Sequence, residues 1–210
     1  MLGGLLGFGS ILPFDFLHFP LFAGGTYAPV LDAYVWELVI LSIIIPYLCR
    51  NDLAGREALW IERIDWSLVL ILAVGAYMLI LLSDLVIEAL LPTYGATPSD
   101  GIASDFDDLR ETPLGLALFA ACISLVGPVV EEVVFRGLLY AHIRAYLGAL
   151  PTIAITGALF GLLHGGPPAY AASIVATGII LGALREWTGG IVAPTAAHIL
   201  NNLIATVADL

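Results

Sequence analysis

The chain has 210 residues, of which 60% are apolar and 12% are charged, and its mean hydropathy is +0.99. Because a typical soluble domain carries about 25% charged residues, this composition excludes an ordinary soluble domain and favours an integral membrane protein. The net charge is −11, and all seven basic residues are arginines. With no basic stripe along the chain, a nucleic-acid partner is not expected.

Four long stretches contain no Asp, Glu, Lys or Arg, namely residues 66–83, 112–130, 145–184 and 187–208. About 20 apolar residues cross a bilayer as an α-helix, so three of these stretches match one crossing each. The stretch of 40 residues has to fold back on itself. Its glycine-proline break at residues 165–168 is the place where we expect the chain to turn.

The predicted elements are six membrane-spanning helices, at about 27–49, 67–91, 113–131, 151–164, 168–184 and 190–207. The third is expected to continue as an amphipathic helix to Tyr146, and Asp32 and Glu37 are placed near the outer end of the first. The segment 1–14 is apolar but lacks the basic region of a signal peptide. Whether this segment crosses the membrane is left open. The predicted fold is therefore all-α, a polytopic transmembrane bundle of six to seven spans. It forms a single integral domain over residues 1–210 in the cell membrane.

The arginines predict the orientation of this bundle. Six of the seven are assigned to alternate loops, and these are Arg50, Arg56, Arg63, Arg136, Arg144 and Arg185. By the positive-inside rule those loops are cytoplasmic. The loop between the second and third spans is acidic, and we interpret it as a solvated linker rather than a calcium site.

Two adjacent carboxylates, Glu131 and Glu132, have valines on both sides. A charge near the centre of a bilayer costs about 2.5–3.5 kcal/mol on insertion scales, so such a pair indicates a function. Glu132 and Arg136 are four residues apart and can pair on one helix face, whereas Glu131 points elsewhere and is suited to act as a general base. The alternative is that the Glu-Glu-Arg cluster only caps the helix at the membrane interface.

Two histidines also lie in uncharged membrane stretches. His164 follows Phe160 by four residues, and His198 precedes Asn202 by four. Taken singly, each histidine is better explained as a hydrogen-bonded core residue. Together with Glu131, however, they would supply a base and polar groups that can hold a water molecule or an oxyanion.

Three motifs occur in order on successive helices: Glu131-Glu132-xxx-Arg136, Phe160-xxx-His164 and His198-xxx-Asn202. Over residues 114–210 the chain thereby resembles the CPBP intramembrane proteases, also called the Abi or CAAX-protease family, which includes the type II CAAX prenyl endopeptidases. The HExxH, GxSG and GxGD motifs of other intramembrane proteases are absent.

The resemblance implies an intramembrane endopeptidase that cleaves a peptide or membrane-protein substrate at an active site in a cavity between helices. Glu131 would activate the attacking water, His164 and His198 would position it, and Asn202 would help to hold the oxyanion. Glu132, Arg136 and Phe160 would support them. The alternative is a non-catalytic scaffold or bacteriocin-immunity protein of the same family. A small transporter is less expected, because the chain shows no related halves.

The cofactor is left open by the sequence. Two histidines and Glu131 could bind zinc as a His₂Glu set, and the same residues would serve a metal-free site. Zinc-bound histidines normally have an acceptor that orients each ring, but the residues next to His164 and His198 are mostly apolar. We therefore expect a metal-free site in preference to a zinc site.

Overall fold

The computed structural model describes Leu21 and residues 25–50, 65–91 and 111–208, and every regular element within these residues is helical. The six helices are α1 (Ala28–Arg50), α2 (Trp66–Leu90), α3 (Pro113–Arg144), α4 (Ala149–His164), α5 (Pro168–Thr188) and α6 (Val192–Ala208). The predicted all-α bundle is confirmed. The segment 1–14, Arg56, Arg63 and most of the acidic loop lie outside the described residues.

Four helices, α1, α2, α3 and α5, are long and apolar enough to cross a membrane. The other two, α4 and α6, have 16 and 17 residues, which is short for a full crossing of about 20 residues. The number of crossings, six to seven, therefore remains a prediction, as does the single domain over the whole chain.

Local signals start and stop these helices. Asp65 caps α2 by accepting hydrogen bonds from the backbone N–H groups of Ser67 and Leu68, at 3.0 and 3.3 Å. Thr112 caps α3 through the N–H of Gly115 at 3.0 Å. Such caps satisfy backbone donors that have no partner inside the helix. At the other end of α5, Gly189 adopts a left-handed φ of 74°, which glycine tolerates without steric cost.

Helix α3 continues past Glu131, as predicted, but the continuation is not amphipathic. Nearly all of residues 131–141 are buried, so the glutamates lie inside the bundle rather than at the edge of an apolar helix. The helix contains two π-helical turns, at Cys122–Val126 and Val133–Leu139. Pro128 has no N–H to continue the regular ladder, and the first π turn, just before it, lets the helix continue without a break.

Helices α1 and α3 run parallel. The Tyr34 hydroxyl donates to the backbone oxygen of Leu118 at 3.0 Å, and further along both helices Tyr47 contacts His142 at 3.2 Å. Because contacts advance in the same direction on both helices, the intervening α2 has to return the chain across the bundle.

The remaining helices pack around α3. Helix α6 runs antiparallel to it, since Ser124 contacts Thr206 and Glu132 contacts His198. Helices α4 and α5 form a close hairpin in which any side chain added to Gly157 would collide with the α5 backbone. Small residues allow this approach, which is a common mode of helix packing in membranes.

Two of the arginines assigned to loops are buried inside helices. Arg136 is fully buried in α3, and Arg185 is buried in α5, where its Nε donates to the backbone oxygen of Arg136 at 3.1 Å. Their assignment to loops is therefore wrong, because both lie within helices and make contacts between helices, whereas the side of the membrane on which they lie remains a prediction. Arg50 and Arg144 do lie at the ends of α1 and α3.

Candidate active site

Glu131, His164 and His198 converge from three different helices. The Oε2 atom of Glu131 lies 3.7 Å from Nε2 of His164 and 3.7 Å from Nε2 of His198. All three side chains are at most 10% exposed. The predicted convergence of α3, α4 and α6 on one site is confirmed, whereas the catalytic roles of the three residues remain predictions.

The second glutamate points to a different partner. Nη1 of Arg136 donates to Oε1 of Glu132 at 2.7 Å, and both side chains have no exposed surface. The other end of the guanidinium donates from Nη2 to the backbone oxygen of Gly178 in α5 at 2.9 Å. The predicted pair is therefore present, and Arg136 uses it to tie α3 to α5.

Glu132 has a further role that the sequence did not reveal. Its Oε1 atom also lies 3.1 Å from Nδ1 of His198. Since a carboxylate oxygen can only accept, Nδ1 has to donate, and in the neutral ring Nε2 then carries the lone pair. Glu132 thus turns the lone pair of His198 towards Glu131. The two residues are 66 positions apart, and no local pattern indicates their contact.

His164 is held in the same way by its own helix. Its Nδ1 atom lies 2.6 Å from the backbone oxygen of Phe160, which can only accept a hydrogen bond. Nε2 of the neutral ring therefore also presents a lone pair to Glu131. Three acceptors converge on one small space, so whatever binds between them has to be a hydrogen-bond donor or a cation.

The Phe160 ring supports this arrangement by contact with both histidines. Its centroid lies 4.5 Å from that of His164 and 5.7 Å from that of His198. The same ring packs edge-on against Phe135, and the Arg136 guanidinium carbon lies 4.5 Å from its centroid. An apolar ring in this place keeps both imidazoles in position and limits the access of water.

Asn202 lies on the same helix as His198, but its described hydrogen bonds are with other groups. Its side-chain nitrogen donates to the backbone oxygen of Ile123 at 3.1 Å, and its oxygen accepts from Asn201 at 3.3 Å. Ile123 belongs to the first π turn of α3. Asn202 therefore links α6 to α3, and its predicted oxyanion role remains a prediction.

The donor set suits zinc in chemical type, since two imidazoles and a carboxylate are usual zinc ligands. The expectation that the rings lack orienting acceptors is wrong, because Glu132 and the Phe160 carbonyl supply them. The arrangement of these side chains fits zinc less well than their chemical type does. Within the described part of the chain, no three His, Cys, Asp or Glu side chains are arranged to hold a metal ion. The cofactor therefore remains a prediction.

Glu37 is a buried carboxyl group near the site, and its position differs from the one predicted from the sequence. Glu37 was expected near the outer end of the first span, but it is fully buried in α1 and faces α3. Its Oε1 atom would lie 3.6 Å from a side chain added to Gly127, four residues before Glu131. The signal that could have indicated it is a single acidic residue within an otherwise apolar span.

Comparison with known families agrees with the geometry. Residues 113–204 match the family model of the Rce1-like proteins, described as type II CAAX prenyl endopeptidases. This range runs from the start of α3 nearly to the end of α6 and contains every residue of the three motifs. No curated protein and no solved structure matches the chain. Residues 113–204, which are less than half of the chain, are thus similar to a family of proteases.

Proposed function

We propose that this protein is an intramembrane endopeptidase that hydrolyses a peptide bond with a water molecule activated by Glu131. The observation that carries the proposal is the convergence of three acceptors, Glu131 Oε2 and the Nε2 atoms of His164 and His198. A water molecule placed among them would donate one hydrogen to the carboxylate and one to an imidazole. Its oxygen lone pairs would then face away from the acceptors, towards a substrate.

The proposed reaction has two steps. In the first, Glu131 removes a proton from the water while the water oxygen attacks the carbonyl carbon of the peptide bond, forming a tetrahedral intermediate. In the second, the C–N bond breaks and Glu131 returns the proton to the leaving nitrogen. The carboxylate is thereby regenerated, and one water has been added across the bond.

The oxyanion of the intermediate needs a donor. We assign this role to Asn202, whose side-chain nitrogen has two N–H groups. One of them donates to the Ile123 backbone oxygen, and the other is the donor we propose for the oxyanion. The bond to Ile123 would hold the amide in a fixed orientation, so that little reorganisation is needed during the reaction.

The substrate is expected to reach the site from the side of α4 and α5. His164 is the last residue of α4, and Gly165 and Gly166 follow it with φ angles of 64° and 89°. These left-handed conformations favour glycine, and they place the turn directly beside the site. A peptide or a membrane-protein segment bound there would meet Glu131 within the apolar bundle, as expected of a protease acting inside a bilayer.

The test is cleavage of a membrane-peptide library by purified protein in detergent or lipid. We expect products from the wild type, none from Glu131→Gln, and wild-type products from Glu88→Gln, which changes an exposed acid of α2. Cleavage by Glu131→Gln at the wild-type rate would overturn the proposal. If none of the three proteins yields cleavage products, the scaffold alternative is favoured.

A further inference from the structure

Arg185 is a buried cation that the proposed reaction does not use. It lies in the last turn of α5 and is 8% exposed. Its Nε donates to the backbone oxygen of Arg136 at 3.1 Å, which uses one of the five N–H groups of a guanidinium. Within the part of the chain that the structure describes, no ion pair includes Arg185. Because a buried charge without a counter-charge is strongly unfavourable, an anionic partner is expected.

The acid next to it in the chain, Glu186, is bound by other groups. Its two oxygens accept from Arg144 at 3.1 to 3.3 Å, and one of them also accepts from the Tyr140 hydroxyl at 2.6 Å. The guanidinium carbon of Arg185 lies 5.5 Å from the centroid of the Tyr140 ring, so the cation packs beside this cluster without pairing with Glu186. Two arginines thus share one carboxylate, and one positive charge of the cluster is unbalanced.

The two Nη groups of Arg185 are accessible from outside the bundle. Neither has a hydrogen-bond partner among the described residues. Neither belongs to the unpartnered polar atoms that are shielded from solvent, whereas Nε of Arg136 does. Their four N–H groups therefore lie at the exposed part of the side chain. A guanidinium presents such groups as a planar fork that matches two oxygens of a phosphate or carboxylate group.

The aromatic side chains indicate where this end of the bundle lies in a membrane. The four most exposed aromatic residues of the described chain are 44 to 87% exposed, and they are Tyr47, Trp66, Tyr146 and Trp187. All four lie at the end of the bundle where α1, α3 and α5 finish and α2 begins. Because Trp and Tyr are enriched where a bilayer meets water, Arg185 lies close to the level of the lipid headgroups.

We propose that Arg185 binds the phosphate group of an acidic phospholipid, with Arg144 at the edge of the same site. The headgroup supplies the negative charge that the cluster lacks, and its two non-bridging oxygens fit the Nη fork. The attraction of a basic residue to a helix C-terminus explains an exposed arginine such as Arg50, but it does not explain a buried one. The site includes no residue of the proposed reaction, so the inference holds whether or not the protein cleaves peptides.

The first test measures lipid binding to the wild type in a nonionic detergent. Phosphatidylglycerol and phosphatidylcholine with the same short acyl chains are added separately, and native mass spectrometry counts the bound lipids. We expect one phosphatidylglycerol to bind about 10-fold more tightly than phosphatidylcholine, because only the former has a net negative charge. Equal binding of the two lipids would overturn the inference.

Inorganic phosphate is the third ligand in this test, and it separates a lipid headgroup from a soluble anion. It has the same charged oxygens but no acyl chains to contact the apolar helices. We therefore expect it to displace phosphatidylglycerol only at a far higher concentration. Displacement at an equal concentration would identify a soluble anion as the ligand and would also contradict the proposal.

The second test compares Arg185→Gln with the matched control Arg50→Gln. Each variant removes one positive charge from the same end of the bundle, but Arg50 is exposed at the end of α1. The preference for phosphatidylglycerol should disappear in Arg185→Gln and persist in Arg50→Gln. An equal loss in both variants would show non-specific attraction to the surface charge, and an undiminished preference in Arg185→Gln would place the lipid elsewhere.

A conservative variant decides the matter if Arg185→Gln does not fold. Arg185→Lys keeps the positive charge, but an ammonium group cannot bind two phosphate oxygens as a planar fork. We expect the preference for phosphatidylglycerol to fall several-fold in this variant while the protein stays folded. A wild-type preference in Arg185→Lys would rule out the site as proposed.

Discussion

Two ion pairs involving helix α3 differ in burial, and the difference shows which one the protein depends on. Glu132 and Arg136 lie 2.7 Å apart with no exposed surface, in the middle of the bundle. Arg144, at the end of α3, pairs with Glu186 of α5 at 3.1 Å, and these side chains are 44% and 32% exposed. Water and salt screen the second pair but not the first, so the loss of one partner has different consequences.

The buried pair also joins more helices. Oε1 of Glu132 contacts both Arg136 and His198, and Arg136 also donates to the backbone of Gly178. In the exposed pair, Glu186 also accepts from the Tyr140 hydroxyl at 2.6 Å, and Arg144 also donates to the backbone oxygen of Leu147, just past the end of α3, at 3.4 Å. Removing charge from the first cluster should therefore disturb the site and three helices, whereas the second cluster joins only the ends of two.

The largest effect is expected for Glu132→Gln. The substitution keeps the shape of the side chain but leaves the Arg136 charge without its counter-charge, and breaking a buried pair costs about 3–5 kcal/mol. It also weakens the contact that orients His198, so activity should fall together with stability. Thermal or denaturant unfolding and the cleavage assay measure the two effects. A melting temperature equal to that of the wild type would contradict the structural role of this pair.

The next effect is expected for Glu131→Gln, which separates activity from stability. General-base catalysis contributes about 10²- to 10⁴-fold to a rate, so cleavage should fall by at least that factor. The folded protein should be retained, because Glu131 is not part of the pair with Arg136. Comparison of its expression and melting temperature with those of Glu132→Gln checks the division of roles. Equal losses of stability in the two variants would refute it.

A much smaller effect is expected for Glu186→Gln, the matched change in the exposed pair. Exposed ion pairs contribute little to stability, so its melting temperature should fall far less than that of Glu132→Gln. Activity should equal that of the wild type. Raising the salt concentration should reduce even this difference, because exposed charges are screened. A loss as large as that of Glu132→Gln would show that burial does not decide the strength of these pairs.

Metal removal is expected to leave the cleavage rate unchanged. This prediction concerns the buried cluster of Glu131, His164 and His198. If water held by Glu131 and the two histidines is the nucleophile, chelator-treated protein should cleave as fast as untreated protein. Metal content is measured by mass spectrometry on the same samples. Activity that vanishes with the chelator and returns with one equivalent of zinc would make Glu131, His164 and His198 the ligands.

Local patterns in the sequence predicted the parts of the site that lie on single helices. The spacing of Glu132 and Arg136 predicted their pair, and the spacing of Phe160 and His164 placed the two on one face. Both succeed because an α-helix brings residues four apart together regardless of the surrounding structure. A different argument, the count of charges along the chain, misassigned Arg136 and Arg185 to loops, because it took no account of what each helix packs against.

The sequence by itself determined that this chain forms apolar helices and that its few intramembrane polar residues follow the motifs of a protease family. The tertiary structure alone decided which of these residues meet. It brought His198 to Glu132, the Asn202 amide to the Ile123 carbonyl, and Glu37 to Gly127. Each contact joins two helices far apart in the chain, and its partners depend on the rotation and depth of both. Helical periodicity fixes the face on which a residue lies, but only packing decides which neighbour that face meets.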